Sequence, residues 1–169
     1  LHLGNILVGP RGDAWLIDFS WTREGHTLFD WAMLEASLLI EVVARLAPPG
    51  WGGAWGTTGL LRSINAREDR VQRERHQVAR ALSVVQTIRD VAQESLGGVE
   101  RWDEYHIALA LLALRMMTWQ SESIDARRLA FLVAALSMAE VDRYRKRDAS
   151  SDRSRAGTST DLDQTELRV

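Results

Sequence analysis

His2-Leu3-Gly4-Asn5-Ile6-Leu7-Val8, then Gly9-Pro10-Arg11-Gly12-Asp13, then Ala14-Trp15-Leu16-Ile17-Asp18-Phe19: these three stretches hold the most informative pattern in the chain. Asn5–Val8 and Ala14–Ile17 are short apolar runs containing β-branched residues, and the glycines and proline between them have the chemistry of a turn. The pattern predicts a β-hairpin. Asn5 lies at the start of its first strand and Asp18 at the end of its second, so antiparallel pairing folds both side chains toward one edge. An amide oxygen and a carboxylate meeting there suit a hard cation. Mg²⁺ is commonly held by one or two protein oxygens, with phosphate and water completing an octahedron. The reaction such a pair serves is phosphoryl transfer, in which the metal neutralises charge on the β- and γ-phosphates.

Outward from the hairpin the chain reads as helices. From Thr27 to about Leu46, apolar residues including Leu28, Trp31, Leu34, Leu38 and Val42 recur at helical spacing until Pro48-Pro49-Gly50 stops the pattern. Residues 48–58 are rich in glycine, proline and tryptophan, and are expected to form an ordered aromatic loop rather than regular structure. A third pattern runs from about Ala66 to Leu96, ending at Gly97-Gly98, where a left-handed helix cap is expected. Its Arg67–Arg80 part mixes both charge signs and reads as a solvated face rather than a nucleic-acid patch. Two more helices, Glu100–Gln120 and Ser123–Arg145, form a helical hairpin with Ser123 and Asp125 as candidate caps. The polar residues 147–169 cannot bury enough surface to offset their ordering entropy and are expected to be a disordered tail. The fold class is therefore α+β and mostly α, with one domain over residues 1–146.

Length and composition narrow the function classes. A chain of 169 residues can build one sizeable core. A formal net charge of −2 provides no basic excess for nucleic acid or an anionic membrane surface. Without cysteine there is no disulfide framework or thiolate metal site, and the default compartment is the cytoplasm. The apolar runs Ile107–Leu114 and Leu129–Leu136 fall short of the roughly 20 residues a membrane-spanning helix needs. His26, His76 and His106 share no zinc-ligand spacing, and no Gly-x-Ser-x-Gly elbow is present. The seven tryptophans, Trp51, Trp55, Trp102 and Trp119 among them, are expected mainly to fill the core.

Residues 1–8 and 16–19 resemble the catalytic loop and metal-binding strand of the aminoglycoside and choline phosphotransferases, relatives of protein kinases, whose pattern is His-Gly-Asp-Leu-His-x-x-Asn-[Ile/Val]-Leu, a hairpin, then Ile-Asp-Phe or Ile-Asp-Trp. The resemblance implies that Asn5 and Asp18 hold Mg²⁺ with ATP and that His2 orients the loop. Asp30, in a segment similar to the family's Asp-[Leu/Ile/Trp]-Ala, would brace the loop, or on the simpler reading would only favour its helix N-terminus. The helices after it would be the C-terminal lobe of kinase-like type. A narrower resemblance, carried by Trp15–Phe19, Gly25-His26 and Asp30 to Glu35, is to phosphotransferase-like domains of bacterial multidomain effector and signalling proteins. The resemblance covers about Leu1 to Glu41. The family's general-base aspartate would precede Leu1, and the nucleotide lobe with its lysine would also lie upstream, so the chain reads as a piece of a longer protein, inactive by itself. The implied activity is transfer of the γ-phosphoryl group to a hydroxyl acceptor, small molecule or protein. The alternative is a kinase-fold domain that no longer catalyses and serves as a binding or scaffolding module.

Overall fold

A computed structural model describes residues 1–18, 27–65, 76–96, 101–120 and 122–162. The hairpin forms where it is predicted. Strand β1 (Ile6–Val8) pairs antiparallel with β2 (Ala14–Leu16) in the register Ile6 to Leu16, Leu7 to Trp15 and Val8 to Ala14. Its turn is closed by Gly9 N–H to the Asp13 carbonyl at 2.8 Å and by Gly12 N–H to the Gly9 carbonyl at 2.9 Å. Gly12 adopts φ 87°, a left-handed conformation that a side chain would disfavour. A single 3₁₀ turn, Leu3–Asn5, leads into β1.

The predicted helix from Thr27 to Leu46 is one rod with a change of winding inside it. It comprises α1 (Thr27–Ser37), a π-helical segment (Leu38–Val43) and α2 (Ala44–Leu46). Ala47 is extended (ψ 152°), as expected of a residue before proline, so the helix stops there. Leu28, Leu39 and Ile40 from this rod meet Leu61, Leu82, Val85, Leu109 and Leu129 in one continuous core.

Residues 48–58 depart from expectation. Instead of an irregular loop, Gly50–Asn65 form a helix, α3. Glycine costs about 1 kcal/mol per position in a helix, and packing can override that. Here α3 lies against α6 (Ile124–Leu162), and its first turn is tied down by Gly50 N–H donating to Asp125 Oδ1 at 2.9 Å. Gly53 is required by space: a Cβ there would fall 1.6 Å from the Pro48 carbonyl oxygen. Trp51 and Trp55 stand 48% and 63% exposed, so they do not fill the core as expected, whereas Trp102 and Trp119 are half-buried against it.

Helices α4 (His76–Ser95) and α5 (Trp102–Met117) occupy two of the predicted helical stretches. Residues 66–75 and the Gly97-Gly98 cap lie outside the described residues, as do Phe19, Gly25 and His26. Ser123 caps α6, its hydroxyl accepting from Ala126 N–H at 3.1 Å. Asp125, the other candidate, turns back to α3 instead. Helix α6 passes the expected end at Arg145 and continues to Leu162, taking in most of the stretch expected to be a disordered tail. Once a packed helix exists, each added residue avoids the cost of nucleation, and no proline interrupts residues 147–162. Among the described residues the architecture is mostly α with one two-stranded sheet, and no helix is long and apolar enough to cross a membrane.

Candidate functional site

The hairpin register decides where the two proposed metal ligands sit. Ile17 N–H donates to the Asn5 carbonyl at 2.9 Å, one step beyond the last ladder pair, so Asn5 and Asp18 belong to the same end of the sheet. Asn5 is half-buried and Asp18 is exposed. Asp18 has φ 58°, the one left-handed non-glycine residue among those described. Aspartate tolerates this region better than most residues, but such a conformation is sparsely populated and is held by its surroundings.

The loop before β1 is fastened to the first helix at three points. The Leu1 backbone nitrogen contacts Asp30 Oδ1, in the first turn of α1. Leu3 N–H donates to Ser37 Oγ at 3.2 Å, and the same hydroxyl donates to the Leu34 carbonyl at 3.0 Å. His2 Nε2 lies 2.7 Å from Glu41 Oε1, while its Nδ1 accepts from Gly4 N–H at 3.0 Å. The indole of Trp119 is tilted against the His2 ring at 6.2 Å. Thus Asn5 and Asp18 share one sheet edge, and His2 and Asp30 both touch the loop that leads to it.

Ser37 and Glu41 were missed by motif reading, although a signal was there. With Glu35, they are the only polar side chains between Ala32 and Ala44, and a polar group in such an apolar run needs a partner.

Glu35 finds its partner in a different direction. It is fully buried, accepts from Arg89 Nε at 2.8 Å and Nη2 at 2.5 Å, and receives the Tyr105 hydroxyl at 2.5 Å. Burial opposes the charge on Arg89, but the Glu35 carboxylate outweighs it and holds the guanidinium above its ordinary range. Burial, with Glu35 alongside, pushes the Tyr105 phenol up. The group joins α1 to α4 and α5. Beside it, Arg89, Trp102, His106, Glu140 and Tyr144 line a cleft of about 90 Å³. Its charges are matched within the chain: Arg89 with Glu35, and Glu140 with Arg143 at 2.8 Å. Burial first, then the charge of Arg89, push the His106 imidazole down to about 4, leaving it neutral.

Among the described residues no group of three or more His, Cys, Asp or Glu side chains could hold a metal ion. The Asn5 and Asp18 pair is a different donor set, one amide and one carboxylate. A donor set of that kind suits a cation that takes most of its ligands from phosphate and water.

Residues 1–118 match the family model described as ternary complex associated domain 9. No curated protein and no solved structure matches the chain.

Proposed function

We propose that this chain, which belongs to the ternary complex associated domain 9 family, is the metal-binding, C-terminal-lobe part of an ATP-dependent phosphotransferase of kinase-like type, acting on a hydroxyl acceptor. The observation that carries this reading is the hairpin register. Ile17 N–H on the Asn5 carbonyl brings an amide and the strained Asp18 to one edge of a sheet. Backbone strain of this kind clusters at functional positions, because the surrounding structure must hold it in place. In the phosphotransferase reading, Asn5 and Asp18 would hold Mg²⁺, which when bound neutralises the nucleotide's phosphate charge. His2 and Asp30 would hold the loop, and the base and nucleotide lobe would come from upstream residues.

A second reading is a kinase-fold module that binds or scaffolds without catalysis. The family's description, a domain associated with a ternary complex, favours it, as does the apolar surface of the hairpin, where Leu7, Val8, Trp15 and Leu16 are each at least half exposed. Large exposed apolar side chains grouped together mark contact surfaces.

The test is magnesium-dependent ATP binding by the full reading frame that contains this chain, compared with its Asp18→Asn variant. Wild-type binding that the variant loses without loss of folding supports the phosphotransferase. A folded wild type that binds no nucleotide refutes it and leaves the scaffold.

A further inference from the structure

We infer that Glu41 is a positioning residue for the metal-binding loop: by facing His2 Nε2 it fixes the tautomer and orientation of that imidazole, and so shapes the turn that carries Asn5. The inference rests on the phosphotransferase reading of Asn5 and Asp18 and extends it to a helix residue with no place in the motif.

The chain of contacts is short. Glu41 Oε1 stands 2.7 Å from His2 Nε2, off the ideal hydrogen-bond direction, and neither atom has a hydrogen-bond partner among the described residues. His2 Nδ1 can accept the Gly4 N–H, at 3.0 Å, only with the ring proton on Nε2, so the turn and the facing carboxylate favour the same tautomer and the loss of either weakens that preference. A Cβ at Gly4 would lie 3.1 Å from Nδ1, so ring and turn are in close packing and neither moves alone. Asn5 closes the same 3₁₀ turn, its N–H donating to the His2 carbonyl at 2.9 Å.

The helix is built to deliver that carboxylate. Glu41 lies within the π-helical segment Leu38–Val43, four of whose six residues are buried. A π turn admits one extra residue to the helical ladder and rotates the faces that follow by about 100° relative to an unbroken α-helix. Such turns are uncommon and are often found at functional positions. Along the rod Ile40 and Val43 stay in the core, while Ser37 and Glu41, four residues apart and so neighbours on the helix surface, both meet the loop, one at Leu3 N–H and the other at His2. Partly desolvating a carboxylate in this apolar run costs free energy, and the imidazole edge 2.7 Å away is the polar group that faces it.

The experiment uses the full reading frame that contains this chain, as wild type, Glu41→Gln, Glu41→Leu and Asp18→Asn. Magnesium dependence of ATP binding is measured by calorimetry, and the His2 tautomer by ¹⁵N NMR of the imidazole nitrogens. Glu41→Leu acts on Asn5 only through His2 and the turn, so it should weaken the magnesium dependence by about 10-fold, the lower end of what removing a ligand's direct partner does, and should leave His2 as a mixture of tautomers. Glu41→Gln keeps an acceptor oxygen and should retain the wild-type tautomer and most of the affinity. If Asp18→Asn abolishes binding while Glu41→Leu keeps both the wild-type magnesium midpoint and the Nε2–H tautomer, the inference is overturned and the phosphotransferase reading stands. If folded wild type shows no magnesium-dependent binding, both fall together.

Discussion

Exchanging His106 for phenylalanine should remove about 2 kcal/mol of the stability that the chain loses between pH 7 and pH 5. The ring is buried, with Trp102 at 6.2 Å, Tyr105 at 5.8 Å and Tyr144 stacked at 6.2 Å. Burial is the largest influence on it and Arg89 on α4 the next, both disfavouring the imidazolium; Glu35 on α1 and Glu140 on α6 oppose them. The folded protein therefore takes up this proton only near pH 4, whereas the unfolded chain takes it up near 6.5. Because the folded state prefers the neutral ring, the contribution is fully present above pH 6.5 and is lost as pH falls toward 4. The gap between the two values is worth about 3 kcal/mol in total, of which about 2 has gone by pH 5. Urea unfolding followed by tryptophan fluorescence, for wild type and His106→Phe at both pH values, isolates this share, since carboxylates common to the two proteins cancel. His106 Nδ1 is buried without a hydrogen bond, so the phenyl ring forfeits no bond at that atom. A difference between wild type and variant that stays constant within about 0.5 kcal/mol from pH 7 to pH 5 would refute the reasoning.

Glu35→Ala leaves Arg89 charged, buried and without its carboxylate, and should destabilise by about 3–5 kcal/mol in chemical denaturation, with Glu35→Gln losing less because it keeps an acceptor. A loss under 1 kcal/mol for the alanine variant would mean that solvent reaches Arg89. Two glycines of α3 should respond in opposite directions. Gly53→Ala drives a methyl into the Pro48 carbonyl and should cost about 1–3 kcal/mol, while Gly56→Ala meets nothing within 4 Å and should gain up to about 1 kcal/mol from helix propensity. Thermal melts of the pair check both signs, and equal shifts would contradict the close approach at Gly53.

Which parts were legible in the sequence follows from the range of the forces involved. The hairpin is local: Gly9, Pro10 and Gly12 make its turn, and antiparallel pairing across so short a turn sets Asn5 and Asp18 at the same end of the sheet before any fold is known. The first helix was readable from Leu28, Leu34 and Leu38, but its π segment was not, because the residues Leu38–Val43 are ordinary helix-core types with no proline or glycine to mark a change of winding. The α3 helix was misread since glycine propensity is a local penalty and packing against α6 is not local. In the same way, Asp125 looks like a cap for its own helix, yet it serves Gly50, 75 residues earlier. The Glu35, Arg89 and Tyr105 group spans 70 residues of sequence, and only the polarity of Glu35 in an apolar run hinted at it.

The two faces of the first helix carry different duties, and that division explains how so small a sheet can hold a defined geometry. A two-stranded hairpin by itself is marginal in water. This one is not covered: Leu7 is 51% and Val8 70% exposed, so its own strands supply little core. What orders the hairpin lies at its base, where Asp30, Ser37 and Glu41 each hold the chain between Leu1 and Leu3 against the helix. Glu35, between them in sequence, faces the opposite way and clamps the same helix to α4 and α5 through Arg89 and Tyr105. The position of Asn5 therefore depends on a helix whose own position is set by a buried ion pair. Loosening that pair should open the hairpin before the helical core unfolds, since the hairpin has the fewest buried contacts of its own. In hydrogen exchange, the amides of Ile6–Val8 and Ile17 in Glu35→Gln should lose protection while those of Leu109–Ala113 keep it. Equal loss at both would mean that hairpin and core unfold as one unit.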